Sequence, residues 1–232
     1  MLWAAVVSRP EIVYTAGTLL QFIQNPGYTH CKGVKQIIVY LGSTKDKWLT
    51  FGGKTETRIQ GYCDADWAGQ KHCHLILWYS FYFRIGAVTW SSKKQHIIML
   101  SSTKAEYIAQ THTAKEGIWL QRFIAKILGS EPSVMKVNCD NQGAIVLAKD
   151  IKFHSHTKHI NLQYHFIQEA VEDNKISISY IPTDENLSDI LTKTLVRLKF
   201  EQFVEALGLR RLERKGKEER TTRKEASVTN SV

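Results

Sequence analysis

The chain reads as an α/β protein built on one five-stranded mixed sheet, with helices on both faces. Two observations point there. Strand-like runs come three in succession before the first long helix, which implies an antiparallel meander. Beyond residue 130, strands and helices alternate in the manner of βαβ crossovers. The 232 residues are 43% apolar and 23% charged, an ordinary globular composition with enough apolar surface for a core.

Residues 1–56 read as a small separate unit. Arg9-Pro10-Glu11-Ile12 starts a helix with proline in its first turn, and Asn25-Pro26-Gly27 stops it. A second helix runs from His30 to Leu41 with Gly42 as its cap, and Trp48–Phe51 follows as a strand. Two helices and one strand bury too little to stand alone, so they belong to or pack on something larger.

The sheet begins with Gly61-Tyr62-Cys63-Asp64-Ala65-Asp66-Trp67-Ala68-Gly69. Alternation puts Tyr62, Asp64 and Asp66 on one face and Cys63, Ala65 and Trp67 on the other. Two aspartates on one strand face repel each other, and either a divalent cation or open solvent relieves them. The apolar run Leu75–Ile85 turns at Gly86. Val88–Trp90 and Ile97–Leu100 supply further strand, with Ser91-Ser92-Lys93-Lys94 between them. A helix from Thr103 to Leu128 ends at Gly129, and Thr103 with Glu106 fits a capping box as well as a functional carboxylate. Val134–Cys139 is a strand reaching Asp140, followed by a short helix from Ala144 to Lys149. Asp140 reads equally as a helix cap and as a residue at the carboxyl end of a strand, where α/β sheets place their sites. A histidine-rich loop, Phe153–His159, leads to an amphipathic helix ending near Glu172, and Ile176–Ile181 alternates as a strand. Asp189 lies near the start of the next helix, where it also reads as a helix-terminus charge. A last helix covers Leu198–Leu207.

The net charge of +9 permits a polyanionic partner. From Arg210 to Val232 there are eight Lys/Arg and four Asp/Glu, a net +4 in a stretch with almost no apolar residue, so 210–232 reads as a charged, disordered tail. No run approaches the roughly 20 apolar residues of a membrane helix, and Met1–Val7 lacks a basic start, so neither membrane insertion nor secretion is expected. Cys31, Cys63, Cys73 and Cys139 form no C-x-x-C pair, which suits reduced thiols in a cytoplasmic or nuclear setting. His72-Cys73-His74 has no second pair at zinc-ligand spacing.

Asp64, Glu106, Asp140 and Asp189 therefore stand at element boundaries in one order along the chain. Brought together by a sheet, they would need cations to stay ionised, and Mg²⁺ prefers such oxygen ligands.

The segments GYCDADWAG, VTWSSKKQ, SSTKAEYIA, AKEGIWL, CDNQGAI, FHSHTKHI, YHFI, YIPTDENLSDILTK and KFEQF, in this order, resemble the ribonuclease H domain of Ty1/copia-type retrotransposon Pol polyproteins. Upstream, SRPEIVY and NPGYTHCKGVKQIIVYLGSTKD resemble the end of the reverse transcriptase, and the similarity runs over residues 5–209. The resemblance implies a ribonuclease H-like domain at 57–209 behind a C-terminal remnant of reverse transcriptase at 1–56. It implies a quartet of Asp64, Glu106, Asp140 and Asp189, both catalytic and metal-binding, with Asp66 in support. The expected chemistry is hydrolysis of the RNA strand of an RNA–DNA hybrid with two Mg²⁺ (or Mn²⁺) ions. Ser91, Ser92, Lys93, Lys94 and Lys158 are candidate backbone contacts, and His154, His156 and His159 candidate proton carriers. The implied partners are the hybrid and the reverse transcriptase part of the same polyprotein, in a virus-like particle or the nucleus, with no membrane and no small-molecule substrate.

The pattern departs from the family in places. QKHCHLILWYSFY at 70–82 replaces an acidic, serine/threonine-rich turn, as a local shift of reading frame would leave it, and a distorted first hairpin is expected. Lys104, His156 and Thr194 stand where an acid, an arginine and a proline are usual. The catalytic aspartates of a polymerase are absent. An inactive retroelement fragment that retains nucleic-acid binding is the alternative reading. Integrase-type strand transfer ranks last, since its zinc signature is missing.

Overall fold

The computed structural model describes residues 1–51, 59–66, 74–98, 102–149, 161–187, 191 and 195–211. The central sheet contains β2 (Ile59–Asp66), β3 (His74–Phe83), β4 (Gly86–Ile98), β5 (Met135–Cys139) and β6 (Ile176–Tyr180), in the spatial order β4-β3-β2-β5-β6. The first three strands run antiparallel, while β5 lies parallel to both β2 and β6. The predicted mixed sheet is therefore present, with its five strands in the predicted sequence order.

Helix α4 (Ser102–Leu128) packs on one face of the sheet through Tyr107, Ala114 and Ile118, which meet Cys63, Phe81, Met135 and Val137. With it on that core lie α5 (Gln142–Lys149), through Ala144, Ile145 and Ala148, and α6 (Asn161–Glu172), through Ile167 and Ala170. The opposite face is covered by α1 (Leu2–Val7), α2 (Val13–Leu20), α3 (Tyr28–Ser43) and α7 (Arg197–Ala206). Ala5, Ile12, Val13, Ala16, Ile37, Phe203 and Val204 bury Ile76, Trp78, Tyr82 and Ala87. A buried pair, Arg9 Nε to Glu11 Oε1 at 2.7 Å, with Arg9 Nη2 donating to Thr44 Oγ1 at 2.6 Å, ties the start of this layer to the end of α3. Two edge pieces close the layer, β1 (Lys47–Leu49) pairing antiparallel with β7 (Leu209–Arg211).

Several expectations need correction. Gly42 lies inside α3, which ends at Ser43 with Thr44 as its cap. Arg210 and Arg211 are strand residues in β7, two positions into the expected tail. Ser91–Lys94 are not a link between strands but the middle of a continuous β4, paired from Ser91↔Tyr79 to Lys94↔Ile76. They sit in an edge strand, where serine and lysine are common because one backbone side faces water.

The atypical segment also folds regularly where it is described. β3 pairs with β2 without interruption from Ile59↔Phe83 to Asp66↔Ile76. Its side chains divide cleanly: Leu77, Tyr79, Phe81 and Phe83 face α4's side, while Ile76, Trp78 and Tyr82 face the amino-terminal helices. A strand covered on both faces reads as a near-continuous apolar run, which 75–83 presents apart from the buried Ser80. Two register shifts toward β4, at His74/Ile76 and Phe81/Tyr82, are the remaining irregularity.

Candidate active site

Strand order decides where the acids meet. β2 and β5 are adjacent and parallel, in register Tyr62↔Asn138, so Asp64 and Asp140 stand level, two residues further on, at the same carboxyl-terminal edge. Asn138 Nδ2 donates to Gly61 O at 3.2 Å and holds the two strands at that register. Asp64, two residues before the end of β2, is only 4% exposed.

Glu106 reaches the same edge from the first turns of α4, and it is 7% exposed. Ala65, Leu77, Ala105, Ile108 and Ala109 pack the start of α4 against the ends of β2 and β3. The Ala65 N–H, 2.8 Å from Asp64 Oδ1, also donates to the Glu106 carboxyl, so one donor serves both acids. Glu106 Oε2 accepts no hydrogen bond among the described residues. Burial first, then the charges of Asp64, Cys139 and Asp140, push the Glu106 carboxyl well above the usual carboxylate range. A capping role does not account for a carboxyl placed there.

Asp140 is half-buried. It is not the cap of α5, because Asn141 Oδ1 accepts the Ala144 N–H at 2.9 Å and Asn141 O accepts the Ile145 N–H at 3.1 Å. Asp140 therefore presents its carboxyl to the edge. Ligand atoms of Glu106, Cys139 and Asp140 all lie within 4.8 Å of one another. Oxygen donors of this density, one of them unpartnered, fit a divalent cation.

Asp189 and Lys158 lie outside the described residues, as do His154, His156 and His159 and the side chains of Asp66 and Lys94. The segment before Asp189 is fixed nonetheless. Asn186, fully buried, donates from Nδ2 to Cys63 O at 3.2 Å, one residue from Asp64.

Sequence reasoning missed three contributors at this edge. Asn186 and Asn138 act through backbone carbonyls of β2, for which neighbouring asparagines in the sequence give no sign. Cys139 was counted only as a reduced thiol. Its Sγ accepts from Gln110 Nε2 at 3.0 Å and from the Asn141 N–H at 3.5 Å, while the Cys63 thiol nearby donates to Asn138 O at 3.6 Å. The interaction with Cys63, then the Asn141 and Gln110 donors, lower the Cys139 thiol's pKa, and the same interaction with burial raises that of Cys63.

A recess of about 270 Å³ opens between β3, β4 and α4, lined by Tyr79, Ser91, Lys93, His112, Lys115 and Glu116 among others. Burial, then the charges of Lys115 and Lys93, lower the His112 pKa. Ser91 and Lys93, predicted as backbone contacts, line this recess, while Ser92 is not among its described walls.

No family model matches the chain. It is 42% identical over 210 residues to the retrovirus-related Pol polyprotein from transposon TNT 1-94 of Nicotiana tabacum, covering 90% of this chain and 16% of that polyprotein. It is 34% identical over 208 residues to the polyprotein from transposon RE1 of Arabidopsis thaliana, covering 88% of this chain and 14% of that one. The chain belongs to the Pol polyproteins of copia-type retrotransposons. It spans about one sixth of the length of these Pol relatives or less. The solved structure of LC11 ribonuclease H1, isolated from compost, aligns at a TM-score of 0.44 and 18% identity, over 59% of this chain and 93% of that one. The order β4-β3-β2-β5-β6, with three antiparallel strands and two parallel additions, is the mixed α/β arrangement expected of a ribonuclease H-like fold. Among the described residues of this Pol segment, no helix is long and apolar enough to cross a membrane.

Proposed function

We propose that this Pol segment is a divalent-metal-dependent ribonuclease that hydrolyses the RNA strand of an RNA–DNA hybrid. The observation carrying the reading is the convergence of Asp64, Glu106 and Asp140 at one sheet edge, with Glu106 buried and its Oε2 unpartnered. Carboxylates so placed do not coexist ionised without added positive charge. Asp64, Glu106, Asp140 and Asp189 are the residues that would hold two Mg²⁺ or Mn²⁺ ions. When bound, such ions supply an activated water and neutralise charge in an in-line phosphodiester displacement.

The chain's own residues do the positioning. Ala65 N–H fixes Asp64 and Glu106 toward each other, Asn141 caps α5 and leaves Asp140 free, and Asn186 holds the segment leading to Asp189 against β2. Lys93 and Lys115, in the recess between β3, β4 and α4, offer positive charge for the backbone of the hybrid, which proteins recognise through phosphates and 2′-hydroxyls. Ser91, Ser92, Lys94 and Lys158 belong to the same proposed contact set. In this reading residues 1–56 are the end of the polyprotein's reverse transcriptase, 57–209 carry the nuclease, and a charged tail follows.

The test is incubation of the purified chain with a labelled hybrid and Mg²⁺. Cleavage confined to the RNA strand, abolished by chelation and by Asp140→Asn, supports the proposal. Hybrid binding without cleavage in the wild-type protein identifies an inactive remnant instead.

A further inference from the structure

Glu106 and Asp140 are hard oxygen donors, but the third atom of their cluster is a sulfur. Among the described residues, the Glu106, Cys139 and Asp140 ligand atoms form the one such group within 4.8 Å. Cys139 is fully buried, and its Sγ is held in place by Gln110 Nε2 at 3.0 Å and the Asn141 N–H at 3.5 Å. Glu106 Oε2, buried beside it, accepts no hydrogen bond among the described residues. Soft thiolate ligands select Zn²⁺ and its relatives, whereas carboxylates alone suit Mg²⁺ and Mn²⁺.

We propose that this cluster takes a thiophilic divalent cation, Zn²⁺ or Cd²⁺, through Cys139 Sγ together with the Glu106 and Asp140 carboxylates. The inference rests on the metal-site reading above and deepens it: Zn²⁺ and Mg²⁺ compete for one place, Zn²⁺ with a ligand that Mg²⁺ does not use. On binding, the Cys139 S–H bond breaks, an S–Zn bond forms, and the proton leaves to buffer. Zn–S and Zn–O bonds of about 2.3 and 2.1 Å put the ligand atoms of a tetrahedral site about 3.4–3.6 Å apart. The donors, within 4.8 Å of each other, reach that spacing by closing about 1 Å, which side-chain rotation supplies. Water completes the shell.

The experiment titrates the full chain with Co²⁺, Zn²⁺ and Mg²⁺ separately, without nucleic acid. Co²⁺ reports sulfur ligation through a thiolate-to-cobalt charge-transfer absorption, and calorimetry reports affinity for all three. The expected result is a charge-transfer band that disappears in Cys139→Ser and persists in Cys31→Ser and Cys73→Ser. Zn²⁺ affinity falls more than about tenfold in Cys139→Ser, since even loss of a second-shell partner costs that much, while Mg²⁺ affinity stays within about twofold. Co²⁺ binding with no sulfur band in the wild type overturns the inference and leaves an all-oxygen metal site standing. Absence of Co²⁺, Zn²⁺ and Mg²⁺ binding altogether overturns both. If circular dichroism shows that Cys139→Ser does not fold, zinc-edge X-ray absorption on the wild-type protein decides: one sulfur in the shell supports the inference, and none overturns it.

Discussion

Gly61 and Gly117 face each other across one phenylalanine, and that wedge sets the distance between the strand bearing Asp64 and the helix bearing Glu106. A Cβ added at Gly61 would lie 2.6 Å from Phe81 Cε1 and 3.1 Å from Cδ1. Carbon contacts are comfortable at about 3.5–4.0 Å, so the ring would have to withdraw about 1 Å. It has nowhere to go, because a Cβ at Gly117 would already be 2.9 Å from the same Cε1, and Phe81 is 0% exposed. Overpacking of this kind costs about 1–3 kcal/mol, and the closed far side puts Gly61→Ala at about 2–3 kcal/mol. At about 2–4 °C per kcal/mol for a chain of this size, its Tm falls by about 4–12 °C. Gly117→Ala meets similar crowding but regains about 1 kcal/mol of helix propensity, for a net loss of about 0–2 kcal/mol. Phe81→Leu should absorb the added methyl, so in its background Gly61→Ala costs less than about 0.5 kcal/mol. Thermal melts by circular dichroism of the four proteins close the cycle, with hybrid cleavage measured alongside. A Gly61→Ala protein that melts within a degree of wild type would refute the wedge. So would a Phe81→Leu background that gives no relief.

Other consequences are measurable with the same material. Glu106 holds its proton more tightly folded than unfolded, so the metal-free protein loses stability as pH rises from 4.5 toward the raised folded value; chemical denaturation across that range should show the slope and Glu106→Gln should flatten it, whereas a flat wild-type profile contradicts the burial argument. Tyr82 is buried with its hydroxyl unpartnered among the described residues, and Ser80 Oγ nearby stands outside hydrogen-bond geometry, so Tyr82→Phe should raise stability by about 1 kcal/mol in urea unfolding; a loss of stability would mean the hydroxyl is satisfied. Removing residues 1–51 uncovers Ile76, Trp78, Tyr82 and Ala87, and the truncated chain should aggregate where the full chain remains monodisperse in light scattering; a stable, monodisperse truncation would show that those helices are dispensable.

The five strands of the central sheet were legible largely as β-branched or aromatic runs bounded by turn residues, and the candidate acids drew notice by standing near element boundaries. What escaped the sequence is what depends on pairing or on the second layer. Ser91–Lys94 look like a loop by propensity, and only the ladder to β3 makes them strand. The stretch 70–82 departs from the usual family segment, and its apolar character suits a strand that is covered on both faces where it is described. Asp140 reads equally as cap and as site residue in the sequence, and in the structure its neighbour Asn141 takes the cap. A cap is decided by a side-chain rotamer within one turn, which residue identity alone does not specify.

The acid cluster is costly, and its supports show how the fold tolerates it. Glu106 sits among like charges with one oxygen unpartnered, an arrangement that opposes folding in the absence of cations. Against that stand contacts that do not depend on charge: the Phe81 wedge between β2 and α4, Asn138 bridging β5 to Gly61, Gln110 on Cys139, and Asn186 on Cys63. Each anchors backbone or thiol within three residues of an acid, so the carboxyls cannot relax apart without breaking a buried hydrogen bond or opening the core. Strain held in place this way is characteristic of sites that bind charge. The same packing explains why the unusual 74–83 sequence matters to the site: Phe81 and Trp78, which it supplies, fill the layers on either side of the strand that carries Asp64.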